Sequence, residues 1–420
     1  MNTHAQDAPR HAAIIGGGPA GLMAAEALAR RGVRATIYDR MPSLARKFLL
    51  AGRGGLNLTH SEPFDAFVAR YGAASDRLRP ALEAFTPQDL IAWSAALGEP
   101  TFVGTSGRIF PKGFKASPLL RLWLRRLAAQ GVEVRMRHVL RGFDAQNRPL
   151  MEGPDGVVSA VAADATILAL GGASWPRLGS DGGWVKLLEE RGVQAAPLRP
   201  SNCGFDATWS PVLREKFAGE PLKNVALTFA RTRVRGEALL TAHGLEGGAV
   251  YALSGALREA IAADGFATLY VDLRPDVKEH ELVARLAEAR QGQSASNMLR
   301  KSAGLSPAAA ALLREQGPLP PAPGDLAKRI KGVAVHLTGV RPIERAISSA
   351  GGVLWDEVGP DFQLRRAAGV FVAGEMLDWE APTGGYLLQA CFSTGLAAGL
   401  GAAAYIDADP KPQDAATVTP

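Results

Sequence analysis

The residues with the most chemical content are glycines, and their spacing says what they approach. In AAIIGGGPAGLMAAEALARRGVRATIYDR (12–40), Gly16, Gly18 and Gly21 form G-x-G-x-x-G. They stand between a short apolar strand, Ala12–Ile15, and an Ala/Leu-rich helix from Pro19 to Arg31 closed by Gly32. Gly16 serves the turn, Gly18 lets a diphosphate reach the backbone, and Gly21 lets helix pack on strand. Pro19, Ala20 and Gly21 open the helix, whose free N–H groups and positive end hold the phosphates. A second strand, Val33–Tyr38, ends at Asp39, placed where an acidic side chain takes the ribose hydroxyls. These features in register predict a dinucleotide site, and the fingerprint alone admits FAD and NAD.

A second cluster, AGRGGLNLTH (51–60), lacks the Gly-Lys-Ser/Thr ending of a P-loop. Its glycines demand a sharp bend or a close approach, and Asn57, Thr59 and His60 follow. His60 suits an acid, base or electrostatic partner, and equally a loop histidine held by hydrogen bonds. Two more strand-to-glycine junctions lie downstream: Ala165–Leu170 runs into Gly171-Gly172, and Val370–Ala373 into Gly374-Glu375. The latter leads to Thr383-Gly384-Gly385-Tyr386 and a long helix. Strand ends of this kind are where open α/β sheets bind ligands.

Other candidates have bland readings beside the functional ones. Lys115 could close over a site or be a surface lysine. His243 could face a substrate or cap a strand. His336 and Arg341 flank a strand expected to re-enter the first domain; Arg341 suits a substrate carboxylate or a salt bridge. Trp175 and Trp379 read as packing, and Arg121, Arg125 and Arg126 as a solvated helix face. No His/Asp/Glu spacing resembles a metal site, and no G-x-S-x-G elbow occurs.

The elements that position these residues follow from length and pattern. At 420 residues the chain exceeds what one core supports, so two domains or one with an insertion are expected. SPLLRLWLRRLAAQGVEVRMRHV (117–139) reads as a helix capped by Ser117, with Pro118 at N1, then a strand. Residues 198–335 change texture: NVALTFARTRVRGEALLTAHG alternates like paired strands, and helical segments follow at 276–290, 294–303 and 306–316. GPLPPAPGD (317–325) reads as a linker. The expected organisation is a discontinuous dinucleotide-binding domain (1–197 and 336–408), an inserted substrate or cap domain (198–335) and a flexible tail (409–420).

Composition excludes several classes. Two cysteines, Cys203 and Cys391, without CxxC spacing argue against disulfides or a thiolate metal site and fit a cytoplasmic protein. MNTHAQDAPR has no apolar core, so no secretory leader is expected. FSTGLAAGLGAAAYI is short and Gly/Ala-rich, expected as a buried helix rather than a membrane span. Net charge is +6, concentrated between residues 30 and 140. Nucleic-acid sites bring basic stripes interleaved with aromatics, which are not seen, so a bound anionic cofactor accounts for the excess and no nucleic-acid or membrane partner is expected. There is no second G-x-G-x-x-G, so the one nucleotide site is expected to hold a permanent cofactor, and any nicotinamide donor, NAD(P)H, must dock transiently.

Together these motifs resemble the bacterial YhiN-like flavoproteins, which include aminoacetone oxidases and 3-dehydro-bile-acid reductases. The resemblance runs from Ala12 to about Ile406 through RKFLLAGRGGLNLTH (46–60), GRIFPKGFKAS (107–117), LTAHGLEGGAVYALSGALR (240–258), HLTGVRPIERAISSAGGV (336–353) and GEMLDWEAPTGGYLLQACFSTG (374–395). It implies an α/β, Rossmann-like FAD-binding fold of the two-dinucleotide-binding-domain flavoprotein type, with an inserted β-plus-helical domain. It assigns FAD to the Gly16–Gly21 loop, with Asp39 on the ribose, Arg40 near adenine, Val139 meeting adenine through its backbone, and Gly171 lining the ADP half. Gly374 and Glu375 stand near the ribityl–diphosphate junction, and Lys47 contacts flavin or phosphate. Gly54, Gly55 and Asn57 lie closest to the isoalloxazine, while Gly384, Gly385 and Tyr386 offer backbone N–H groups to its pyrimidine end. His60, Lys115 and Arg341 are the catalytic candidates.

Two departures matter. Many relatives have Gly-Gly-Gly-Arg-Cys-Asn where this chain has Gly52-Arg53-Gly54-Gly55-Leu56-Asn57, so no thiol meets the flavin there. Glu246-Gly247-Gly248 stands where Ser-Gly-Pro is common. The resemblance implies hydride transfer between a small organic substrate and flavin N5, as a NAD(P)H-dependent reduction. Amine oxidation by oxygen and an RNA-associated flavin-binding role are the alternatives.

Overall fold

The computed structural model describes residues 10–52, 54–289 and 292–408. Arg53 and the expected tail, 409–420, lie outside the described residues. The chain divides into two units, Met1–Arg199 with Ser349–Pro420, and Pro200–Ser348.

The first unit is built on a five-stranded parallel sheet. Its strands are β1 (His11–Ile15), β2 (Arg34–Asp39), β3 (Glu133–Met136), β4 (Ala165–Leu168) and β5 (Val370–Val372), in the spatial order β5-β4-β1-β2-β3. Ala12–Ile14, Ile37, Ile167, Leu168, Phe371 and Val372 are fully buried, as expected for a sheet covered on both faces. Helix α1 (Pro19–Arg30) follows β1, and the long helix α2 (Tyr386–Ala408) packs on it. The approach is set by small residues. A Cβ on Gly395 would lie 2.3 Å from Ala20 O, and one on Gly399 2.7 Å from Ala27 Cβ. α2 is long and apolar enough to cross a membrane by length and composition alone, yet Ala390, Phe392, Ala398 and Ala402 are fully buried in this core.

One carboxylate is sealed inside. Glu26 of α1, 0% exposed, accepts from Trp123 Nε1 at 2.8 Å, Trp93 Nε1 at 3.1 Å and Arg126 Nη1 at 3.1 Å, and pairs with Arg30. Arg126 is therefore not part of a solvated face: burying the carboxylate requires charge and hydrogen bonds to offset desolvation, and Arg126 supplies both. Its helix runs Ala116–Ala129, two residues earlier than the Ser117 cap implied; Lys115 holds the extended N-cap position without a side-chain cap, and Ala116 is buried against Gly52.

The second unit is a closed six-stranded antiparallel barrel formed by Phe205–Ala207, Gly244–Glu246, Thr232–Leu240, Pro221–Phe229, Ala267–Asp272 and Val333–Val340 in spatial order. Helices including Glu279–Ala287, Ala295–Lys301, Pro307–Arg314 and Pro323–Lys331 pack with it. Two sequence readings change. The end of the Pro-rich segment starts a helix, because Pro323 suits a first helical turn. Val333–Val340 does not re-enter the first unit at 336: alternate residues Val333, Val335 and Leu337 are buried in the barrel core, and the chain returns at Ser349.

Candidate active site

The glycine loop has the geometry its spacing predicts. Gly16, at φ +109°, would place a Cβ 2.2 Å from Ala169 O, and Gly21's would lie 1.9 Å from Gly16 O; neither position tolerates a side chain. Gly18 differs. Its φ is −81°, and a Cβ there would meet nothing within 4 Å. The space is open at the N-cap of α1, whose first turn has neither an acidic residue nor a side-chain cap. The N–H groups of Ala20 and Gly21, in the first turn, have no intrahelical acceptor.

Asp39, at the end of β2, ties this loop down. Oδ2 accepts from Gly17 N and Oδ1 from Met41 N, both at 2.8 Å. Burial pushes its carboxyl above the usual range, opposed by those two N–H groups. Arg40 is exposed and paired with Asp181. Val139 opens a strand, Val139–Phe143, opposite Glu152.

A charged cluster joins the ends of β4 and β5. Lys47 Nζ donates to Glu375 Oε2 at 2.7 Å and Ser174 Oγ at 2.8 Å, while Ser349 N donates to Glu375 Oε1 at 2.9 Å. Gly171, at φ +72°, and Gly172 let this chain pass: a Cβ on Gly172 would lie 2.3 Å from Ser349 Oγ. Gly374, at φ +77°, would place one 2.8 Å from Ala20 Cβ. Cys391 lies near Gly374, and burial first, then Glu375, pushes its thiol up to about 12.

The AGRGGLNLTH loop and the start of α2 come together. Gly384 and Gly385 have φ of +137° and +97°, and a Cβ on Gly385 would lie 2.5 Å from Thr59 Cα. Leu56 is fully buried and its N–H donates to Phe114 O at 2.7 Å. Gly55 packs on Phe114, whereas Gly54 is exposed with open space. His60 has both nitrogens engaged: Glu62 N donates to Nδ1 at 3.1 Å, so Nε2 carries the proton and donates to Ser106 O at 3.0 Å. Its ring stacks on Tyr386 at 5.6 Å. This geometry is that of the hydrogen-bonded loop histidine.

Lys115 is exposed at its helix cap. Arg341 belongs to the barrel unit, where Nη1 donates to Asp206 Oδ1 at 2.9 Å; it forms the salt bridge. In that unit His336 bonds Thr268, and His243 is exposed. Trp379 is buried and donates to Gly374 O at 2.8 Å. Among the described residues no His, Cys, Asp and Glu cluster could hold a metal ion.

Residues 10–401 match the HI0933-like protein Rossmann domain family. The chain belongs to that family. It has the Rossmann-type α/β fold, in which a dinucleotide cofactor binds at the glycine-rich turn after the first strand. Among curated relatives of this HI0933-like chain, the 3-dehydro-bile acid Δ(4,6)-reductase of Clostridium scindens is 28% identical over 411 residues, 93% of this chain and 98% of the relative. The ribosomal RNA dihydrouridine synthase of Escherichia coli is 24% identical, covering 91% of this chain and 95% of the relative. A solved 3-ketosteroid Δ1-dehydrogenase from Sterolibacterium denitrificans shares the fold, with a TM-score of 0.54 at 12% identity over 94% of this chain and 99% of that one.

The residues present fit such a cofactor. Buried polar atoms are nearly always hydrogen-bonded, yet Arg46 Nε, Asn57 Oδ1, Thr59 Oγ1 and Ser180 Oγ are buried with no partner. Asn57 and Thr59 flank the glycine loop, Arg46 adjoins Lys47, and Ser180 Oγ lies 3.1 Å from where a Gly171 Cβ would be. These orphaned atoms, and the open space at Gly18, are what a bound polar ligand would satisfy. Nothing in the sequence singles out Thr59, Ser180, Arg46 or Ser174, because isolated serines, threonines and arginines carry no spacing signal.

Proposed function

We propose that the chain reduces a carbon–carbon double bond conjugated to a carbonyl in a small organic substrate, using hydride from NAD(P)H. The observation that carries this reading is the near-full-length similarity to two relatives whose names both describe saturation of a double bond. Bound FAD supplies the two-electron hydride chemistry.

This chain's residues bind and polarise. The Gly16–Gly21 loop and the N–H groups opening α1 take the diphosphate, Asp39 the adenosine ribose, and Arg40 and Val139 the adenine side. Gly171, Gly374 and Glu375 line the middle, with Lys47 balancing the Glu375 charge at 2.7 Å. Gly54, Gly55 and Asn57 would hold the ring system, and the N–H groups at Gly384, Gly385 and Tyr386 would favour negative charge on it. His60, with both nitrogens bonded, orients the loop rather than moving a proton. No thiol serves the loop, since Leu56 replaces it.

Anaerobic mixing tests this. The flavin should bleach with NADH or NADPH and regain colour on adding a conjugated enone. Bleaching only with amines would replace the reading with amine oxidation. A second reading, reduction of uracil within RNA, rests on the synthase relative; reoxidation by ribosomal RNA but by no small enone would select it.

A further inference from the structure

We infer that the side chain of Tyr386, clamped by Glu62 and Tyr71, is a positioning residue that sets how strongly the site favours reduced over oxidised flavin. The inference rests on FAD lying at the start of α2.

The sequence suggested only the backbone N–H of Tyr386. The side chain points elsewhere. Tyr386 is 4% exposed, its hydroxyl donates to Glu62 Oε1, and its carbonyl accepts from Tyr71 OH at 2.8 Å. Glu62 is held in turn by Arg70, with Nε at 3.1 Å from Oε1 and Nη2 at 2.7 Å from Oε2. Phe67 packs on the Tyr386 ring at 4.8 Å and His60 stacks on it at 5.6 Å. The first residue of a 23-residue helix is thus fixed at both hydroxyl and carbonyl.

What it fixes is a polar end. The first N–H groups of a helix lack internal acceptors and carry partial positive charge. Against them lies Thr59, 0% exposed, with Oγ1 buried and unpartnered, its backbone 2.5 Å from a Gly385 Cβ position. Asn57 Oδ1 is likewise unpartnered. Preorganised donors are worth more than donors that must reorganise, so loosening the clamp weakens the reduced form selectively.

The test is the reduction potential of bound FAD in the purified holoprotein, by equilibration with a reference dye. Tyr386→Phe keeps the ring packing and removes only the hydroxyl. It should retain FAD while the reduced-to-oxidised ratio at fixed potential falls about tenfold, about 30 mV lower for a two-electron couple. Glu62→Ala should match it, and the double variant should shift no further than either single change, since the two share one interaction. Glu62→Gln, whose amide oxygen still accepts the hydroxyl, should recover most of the shift. A wild-type potential in flavin-loaded Tyr386→Phe or Glu62→Ala would overturn the inference while leaving the FAD site intact. Wild-type protein that takes up no FAD would instead overturn the cofactor reading beneath it.

Discussion

Lys47 Nζ and Glu375 Oε2 lie 2.7 Å apart, joining positions separated by 328 residues. Their side chains are 26% and 12% exposed, so the pair is shielded without being sealed. It brings the helix Arg46–Ala51, the end of β4 through Ser174, and the end of β5 to one point.

Removing the lysine leaves a partly buried carboxylate supported by backbone N–H groups. Lys47→Met should destabilise the protein by about 1–3 kcal/mol, read as a lower urea midpoint at unchanged slope. It should also release FAD more readily on gel filtration. An unchanged midpoint together with full flavin retention would rule out both roles.

Two glycines in one loop should fail differently. Gly18→Val fills open space at φ −81°, so the chain should fold, with a melting temperature equal to flavin-stripped wild type, and bind no FAD. Gly21→Ala puts a methyl 1.9 Å from Gly16 O, so the fold itself should weaken. Circular dichroism with flavin absorbance separates the two.

Acid should weaken the clamp at Glu62. Burial alone would raise its carboxyl, but the Arg70 fork and the Tyr386 hydroxyl outweigh it and hold it below the ordinary value of 4.5. A depressed folded value contributes stability above the unfolded one and loses it as pH falls through the folded one. Wild type should therefore lose stability below about pH 4.5 more steeply than Glu62→Gln. Parallel curves would show that Glu62 is not coupled to folding.

Thiol chemistry should be irrelevant to turnover. Leu56 occupies the loop position, and the Cys391 thiol, pushed up to about 12, has almost no thiolate at neutral pH. Iodoacetamide should leave the rate of flavin reduction by NAD(P)H unchanged. A rate falling in step with alkylation of Cys391 would contradict this.

The glycine loop was legible because each glycine answers to a local constraint: a turn, an opening, or a contact with the neighbouring strand. The parallel sheet followed from short apolar strands alternating with helices. Barrel closure was not legible, since two of its strands, Phe205–Ala207 and Gly244–Glu246, are three residues long and show no alternation to read. Pairings distant in sequence were equally silent: nothing local marks Glu62 as the partner of Tyr386, or Arg126 as the partner of Glu26. His60 and Arg341 each admit two readings in the sequence, and their partners, Ser106 O and Asp206, are visible only in three dimensions.

Whether one FAD is held between the Gly18 opening and the start of α2 is read from the flavin-to-protein ratio of the purified chain, measured from its absorbance spectrum beside Gly18→Val. The expected result is a yellow protein with one FAD per chain and a folded, colourless variant. A wild-type chain that stays colourless after incubation with FAD, or a Gly18→Val chain that keeps its full complement, would contradict it.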